Sequence, residues 1–219
     1  MNDVIRELCD TALFKGITAN EIEKMQGCLS ITQKSYKKHD YIITAGDPIS
    51  KLGIILSGSA NIIKEDFWGN SSLISKLTPR QTFCEEQCCA AVLQASFCII
   101  ACENTSVAFL DYYKFAHHCK TPCGCHTLLI KNMLDILAQK TISLNDKIEF
   151  TNKRSTREKL MSYLSDCAKK SNGNSFSIPF NRQELADYLN VDRSAMSSQL
   201  SKMQREGILK FNKNKFTLF

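Results

Sequence analysis

The stretch "NRQELADYLNVDRSAMSSQLSKMQREGIL", residues 181–209, admits few folds. Asn181 can cap a helix whose third residue is Glu184, a capping box, and that helix runs only to about Leu189. Asn190 tolerates the left-handed backbone of a tight turn, Asp192 caps a second helix, and Gly207 stops it. Leu185, Ala186, Leu189, Val191, Met196 and Leu200 fall on the facing sides, with the small Ala186 where two helices must cross closely. The pattern predicts a helix-turn-helix. The following "ILKFNKNKFTLF" predicts two short strands around Asn212-Lys213-Asn214, a wing with Lys210, Lys213 and Lys215 near its tip.

Charge divides along the chain in the same place. From Lys153 to Phe219 there are 13 Lys plus Arg against 6 Asp plus Glu, whereas the first 152 residues carry 15 against 16. A basic excess confined to the C-terminal third implies a module that faces a polyanion, most simply double-stranded DNA. A lysine-rich solvated face is the plain alternative. The early exposed positions of the second helix, Arg193, Ser194, Ser197 and Ser198, are the candidates for the major groove. Lys202 lies further along toward the backbone, and Arg182 and the wing Lys213 complete the expected DNA-binding set. Arg193 is the best candidate for base readout, since arginine can bond guanine O6 and N7 together while serine discriminates weakly.

Upstream, residues 1 to about 34 read as short helices, with Thr18 and Glu21 forming another capping box. Between Lys37 and Leu110, short apolar strings alternate with turn signals such as Gly46-Asp47-Pro48, Ser57-Gly58 and Thr78-Pro79, which predicts an antiparallel sandwich or barrel. A long helix follows over roughly 125–151, where Ile130, Leu134, Leu137, Thr141, Leu144 and Ile148 recur at alternating steps of four and three. So narrow a seam, flanked by polar residues, implies a parallel homodimer. Domain boundaries are expected at 1–124 for a sensing domain, 125–152 for the dimer helix and 153–219 for the DNA-binding module. No apolar run approaches the roughly 18 residues needed to cross a bilayer, and the N-terminus is charged, so no membrane association and a cytoplasmic location are expected. No Ser-His-Asp or paired-carboxylate constellation appears, and His39, at the edge of the strand region, cannot alone make a metal enzyme.

The order of parts resembles the CRP/FNR transcription regulators. The similarity rests on "AGDPISKLGIILSG", "TFCEE" where the family commonly has Phe-Gly-Glu, "SVAFLDYYKF" and "FNRQELADYLNVDRSAMSSQLSKM". It implies an α+β chain: an N-terminal antiparallel β-roll (a cupin-like double-stranded β-helix), a long dimerisation helix and a C-terminal winged helix-turn-helix. It further implies a homodimer that binds a partly palindromic operator and contacts RNA polymerase. In cyclic-nucleotide-binding members a Gly-Glu pair and an Arg-Ser pair hold the ribose and cyclic phosphate. Here Cys84-Glu85 fills the first and Ala95-Ser96 stands near the second, so Cys84, Glu85, Cys88 and Ser96 would line the effector pocket. Without an arginine a buried phosphate lacks its partner, which argues against cyclic AMP as the signal. Where these regulators often carry glutamate and arginine, Ser194 and Ser198 stand, so the operator should differ from the usual family sites.

The chain has 11 cysteines in no disulfide-like spacing. Two groups could bind metal or act as a redox switch: Cys84 with Cys88 and Cys89, and "HHCKTPCGCH", which brings Cys119, Cys123 and Cys125 into one broken turn. The alternative function is therefore a thiol-based redox or metal sensor, zinc or iron–sulfur, whose C-terminal module works through protein contacts. The plain reading is that most are small hydrophobes, as in "FCIIAC" with Cys98 and Cys102. The residues name no cofactor.

Overall fold

The computed structural model describes residues 3–69, 71–116 and 124–219. By contact they form two compact units, Met1–Lys140 and Thr141–Phe219.

The first unit opens with helices α1 (Asp3–Cys9) and α2 (Ala19–Leu29). Thr18 and Glu21 form the expected capping box, and Ser30 ends α2 in the left-handed region. The strands then follow in chain order: β1 (Thr32–Tyr36), β2 (Tyr41–Ile43), β3 (Lys51–Ser57), β4 (Ala60–Glu65), β5 (Ser71–Leu77), β6 (Thr82–Phe83), β7 (Cys98–Ala101) and β8 (Thr105–Asp111). A short helix α3 (Glu85–Cys89) interrupts them after β6, and α4 (Tyr112–Ala116) follows β8. Two four-stranded antiparallel sheets result, ordered β1-β8-β3-β6 and β2-β7-β4-β5.

The apolar string "LGIIL" of β3 is explained by burial on both faces. Its Leu52, Ile54 and Leu56 join α1, α2 and the helical residues Leu129 and Met133 in one core, while Ile55 points into the second core between the sheets. The same alternation sends Ala108 and Leu110 of β8 to the first core and Val107 and Phe109 to the second. Gly53 sits on β3 where a Cβ would come within 2.0 Å of the Phe83 ring, so only glycine lets that buried ring lie against the strand.

Helix α5 (Gly124–Thr151) begins in the first unit, and the division between units falls inside it. Asn132, buried on this helix, donates to the carbonyls of Leu13 and Lys15, each at 2.9 Å, and so ties α5 to the N-terminal helical segment.

In the second unit come α6 (Thr156–Lys170), β9 (Ser175–Ser177), α7 (Arg182–Leu189), α8 (Arg193–Arg205), β10 (Leu209–Asn212) and β11 (Lys215–Leu218). β9 pairs with β11 to make a three-stranded sheet of what the sequence reads as a two-stranded wing. Phe150, at the end of α5, packs edge-on to Tyr163 of α6, and Phe180 stacks on Tyr188 at 4.6 Å. Leu160, Leu164, Leu185, Leu189, Met196, Leu200 and Met203 are fully buried and complete this unit's core.

Candidate nucleic-acid interface and regulatory site

The helix-turn-helix is set by local chemistry. The Asn181 side chain accepts from the Glu184 N–H at 2.9 Å, and the Glu184 carboxylate accepts from the Asn181 N–H at 2.8 Å, which closes the capping box of α7. Asn190 ends α7 at φ 52°, and the Lys159 ammonium donates to the Leu189 and Asn190 carbonyls at 3.4 and 3.2 Å. Sequence reasoning missed that lysine as a cap, because it comes from a helix thirty residues away. Asp192 then caps α8 by accepting from the Ala195 N–H at 2.8 Å, and the Ser194 hydroxyl also donates to it. These bonds hold the Asp192 carboxyl below its ordinary pKa.

Met196, Leu200 and Met203 turn one face of α8 into the core. Arg193, Ser194, Ser198, Lys202 and Arg205 are exposed, while Ser197 is half-buried. Lys210, Lys213 and Lys215 of the wing are also exposed, with Lys213 in the turn at φ 53°. The guanidinium of Arg182 lies over the rings of Phe211 and Phe216, 4.6 and 5.2 Å from their centroids, and burial lowers its pKa.

The cysteine-rich segment of the roll is less open than a sequence-based pocket suggests. Cys84 and Cys88 are 2% and 6% exposed and belong to the core between the sheets, one helical turn apart. Burial, then each thiol's acidic and thiol neighbours, push both up to about 12. They are held as protonated thiols, small apolar fillers more than nucleophiles or ligands. Cys89 and Ser96 are exposed. Cys125 is half-buried and packs against the first core. Cys119 and Cys123 lie outside the described residues. Among the described residues, no three His, Cys, Asp or Glu side chains converge as a metal site would require.

Glu85 is the most informative residue there. It is fully buried at the start of α3, and its Oε1 accepts from the Thr82 hydroxyl at 2.5 Å and from the Lys140 ammonium at 2.7 Å. Lys140 also reaches Glu86 at 2.9 Å. Burial works against the charge on Lys140, but the two carboxylates outweigh it and hold the lysine above its ordinary pKa. Glu85-Glu86 is therefore part of a three-charge bridge from α3 to α5, where the sequence resemblance places Glu85 only in an effector pocket. A basic residue 54 positions downstream gives no local signal that could have revealed it.

On α5, Leu134, Leu144 and Ile148 are more than half exposed, Ile130 is 40% exposed, and Thr141 is exposed. Leu137 packs against the first core instead, and Ile142, outside the expected seam, is 53% exposed.

A cyclic nucleotide-binding domain model matches residues 33–121, and a Crp-like helix-turn-helix domain model matches residues 158–218. The chain belongs to the CRP/FNR family. The family's antiparallel β-sheet cyclic nucleotide-binding fold, long helix and C-terminal helix-turn-helix are all present in this α+β chain. The c-di-GMP-responsive global regulator CLP of Xanthomonas campestris superposes with a TM-score of 0.71 at 17% identity, over 92% of this chain and 99% of that one. FixK2 of Bradyrhizobium japonicum gives 0.67 at 18% identity, over 86% and 92%. A CooA variant from Carboxydothermus hydrogenoformans gives 0.66 at 17% identity, over 86% and 83%. At such identities the likeness concerns the fold alone. No curated protein matches the chain in sequence. No helix among the described residues is long and apolar enough to cross a membrane.

Proposed function

We propose that this CRP/FNR chain is a homodimeric transcription regulator that reads a partly palindromic operator with α8 and does not take cyclic AMP as its signal. One observation carries the DNA-binding reading. The capped α8 buries Met196, Leu200 and Met203 and leaves Arg193, Ser194, Ser198 and Lys202 exposed, in a module that also exposes Lys213 on the wing. Such a face can enter a major groove while the wing meets phosphates. Arg193 is assigned base readout, the serines short-range contacts, and Lys202 and Lys213 phosphate contacts. Residues 1–124 would sense, 125–152 dimerise and 153–219 bind DNA. Contact with RNA polymerase belongs to the same proposal by family membership.

The exposed aliphatic side chains of α5 support the dimer: Leu134, Leu144 and Ile148 recur at near-heptad spacing and are each more than half exposed in the single chain. Against cyclic AMP stands the Glu85–Lys140 pair. Oε1 of that carboxylate already holds an ammonium, which leaves only Oε2 for a ribose hydroxyl, and among the described residues the neighbouring thiols and acids offer a cyclic phosphate no further cation. Selection from random duplexes at moderate salt tests the reading. A two-fold symmetric consensus is expected, bound with equal affinity with and without cyclic AMP. A protein with no sequence preference would end the regulator reading, and a cyclic-AMP-dependent gain in affinity would end the second claim alone.

A further inference from the structure

We infer that Arg182 is a positioning residue that fixes the wing through the face of Phe211, not a residue that grips a phosphate. This rests on the DNA-binding reading above and refines how that surface is built. Arg182 is the first residue of α7, where the positive end of the helix opposes a cation. It is half-buried, and its Nη2 is sealed from solvent with no hydrogen-bond partner among the described residues. A phosphate cannot reach that nitrogen. What faces the guanidinium is the wing: the ring of Phe211 on β10 at 4.6 Å and that of Phe216 on β11 at 5.2 Å, the two rings 6.0 Å apart. Phe216 in turn stacks on Phe176 of β9. A planar cation on aromatic faces is attracted by their quadrupoles, and arginine does this in a way that lysine's compact ammonium does not reproduce. One end of the helix-turn-helix is thereby joined to the strands whose turn carries Lys213.

The experiment measures operator affinity against salt concentration for the full chain. Arg182→Gln, which has no charge, should weaken binding about two- to fivefold, and Arg182→Lys, which keeps a cation but loses the planar stack, should show a smaller but measurable loss. Phe211→Leu should reproduce the loss of Arg182→Gln, Phe211→Tyr should bind like the parent, and Arg182→Lys with Phe211→Leu should be no worse than Phe211→Leu alone. Lys213→Ala should lower the salt slope in the parent but less so in Phe211→Leu, whose wing is already displaced. Lysine fully replacing Arg182, a harmless Phe211→Leu, or additive losses would each overturn the assignment. A parent that ignores DNA sequence would sink the regulator reading instead. The pair is then read from thermal unfolding, where non-additive shifts support it and additive shifts refute it.

Discussion

Lys140 shows how one side chain sets both stability and chemistry. Removing it leaves Glu85 fully buried and without its counter-charge, the most costly way to break an ion pair. Because 30% of the Lys140 side chain stays in solvent, Lys140→Met should cost roughly 1–3 kcal/mol, less than for a fully buried pair. Adding Glu85→Gln should recover part of that loss in denaturant unfolding. The sign with pH follows from the raised lysine pKa. The bridge contributes fully below the ordinary lysine value of 10.5 and fades as pH climbs through the raised one, so the gap between parent and Lys140→Met should close in that alkaline window. Cys84 and Cys88 make the complementary case. Burial pushes both thiols up to about 12, so the reactive thiolate is scarce near pH 8. Iodoacetamide on the native chain should label the exposed Cys28 and Cys89 and spare Cys84 and Cys88, as mass mapping would read; rapid labelling of Cys84 would restore the redox reading.

At the scale of elements, legibility tracked how local the determining contacts are. The capping box of Asn181 and Glu184, the left-handed Asn190 and the Asp192 cap were all readable because each bond spans three residues or one turn. α3, with five residues, is too short to show a helical period, and β9, with three, exists because β11 offers an edge some forty residues later. The Glu85–Lys140 bridge and the stacking of Arg182 were illegible for the same reason: each joins residues that only the fold brings together. α5 lies between these cases. Its spacing marks a seam, yet Leu137 on that seam serves the roll's core while Ile142 stays exposed. If the exposed side chains form the dimer contact, lysines at Leu134 and Leu144 should yield a folded monomer in sedimentation, since neither is buried in the single chain, with a melting temperature that no longer rises with protein concentration. A dimer that persists would place the interface elsewhere.

Across the whole molecule, charge and fold divide together. The unit Thr141–Phe219 carries 14 basic against 8 acidic side chains, whereas Met1–Lys140 is balanced at 14 against 14. Electrostatic attraction to DNA should therefore reside in the second unit, and neutralising Lys34, Lys37 and Lys38, exposed on and after β1, should leave the salt slope unchanged. Lys213→Ala should not. Each phosphate contact contributes about 0.9 to the slope of log affinity against log salt on duplex DNA. A monomer would lose that amount once, and a symmetric pair would lose it twice, about 1.8 in all. The slope thus counts how many wings touch the duplex. Measured beside the α5 lysine variant, it should fall from the two-wing to the one-wing value when the dimer is broken. An unchanged slope in Lys213→Ala would remove the wing from the interface, whatever the oligomeric state.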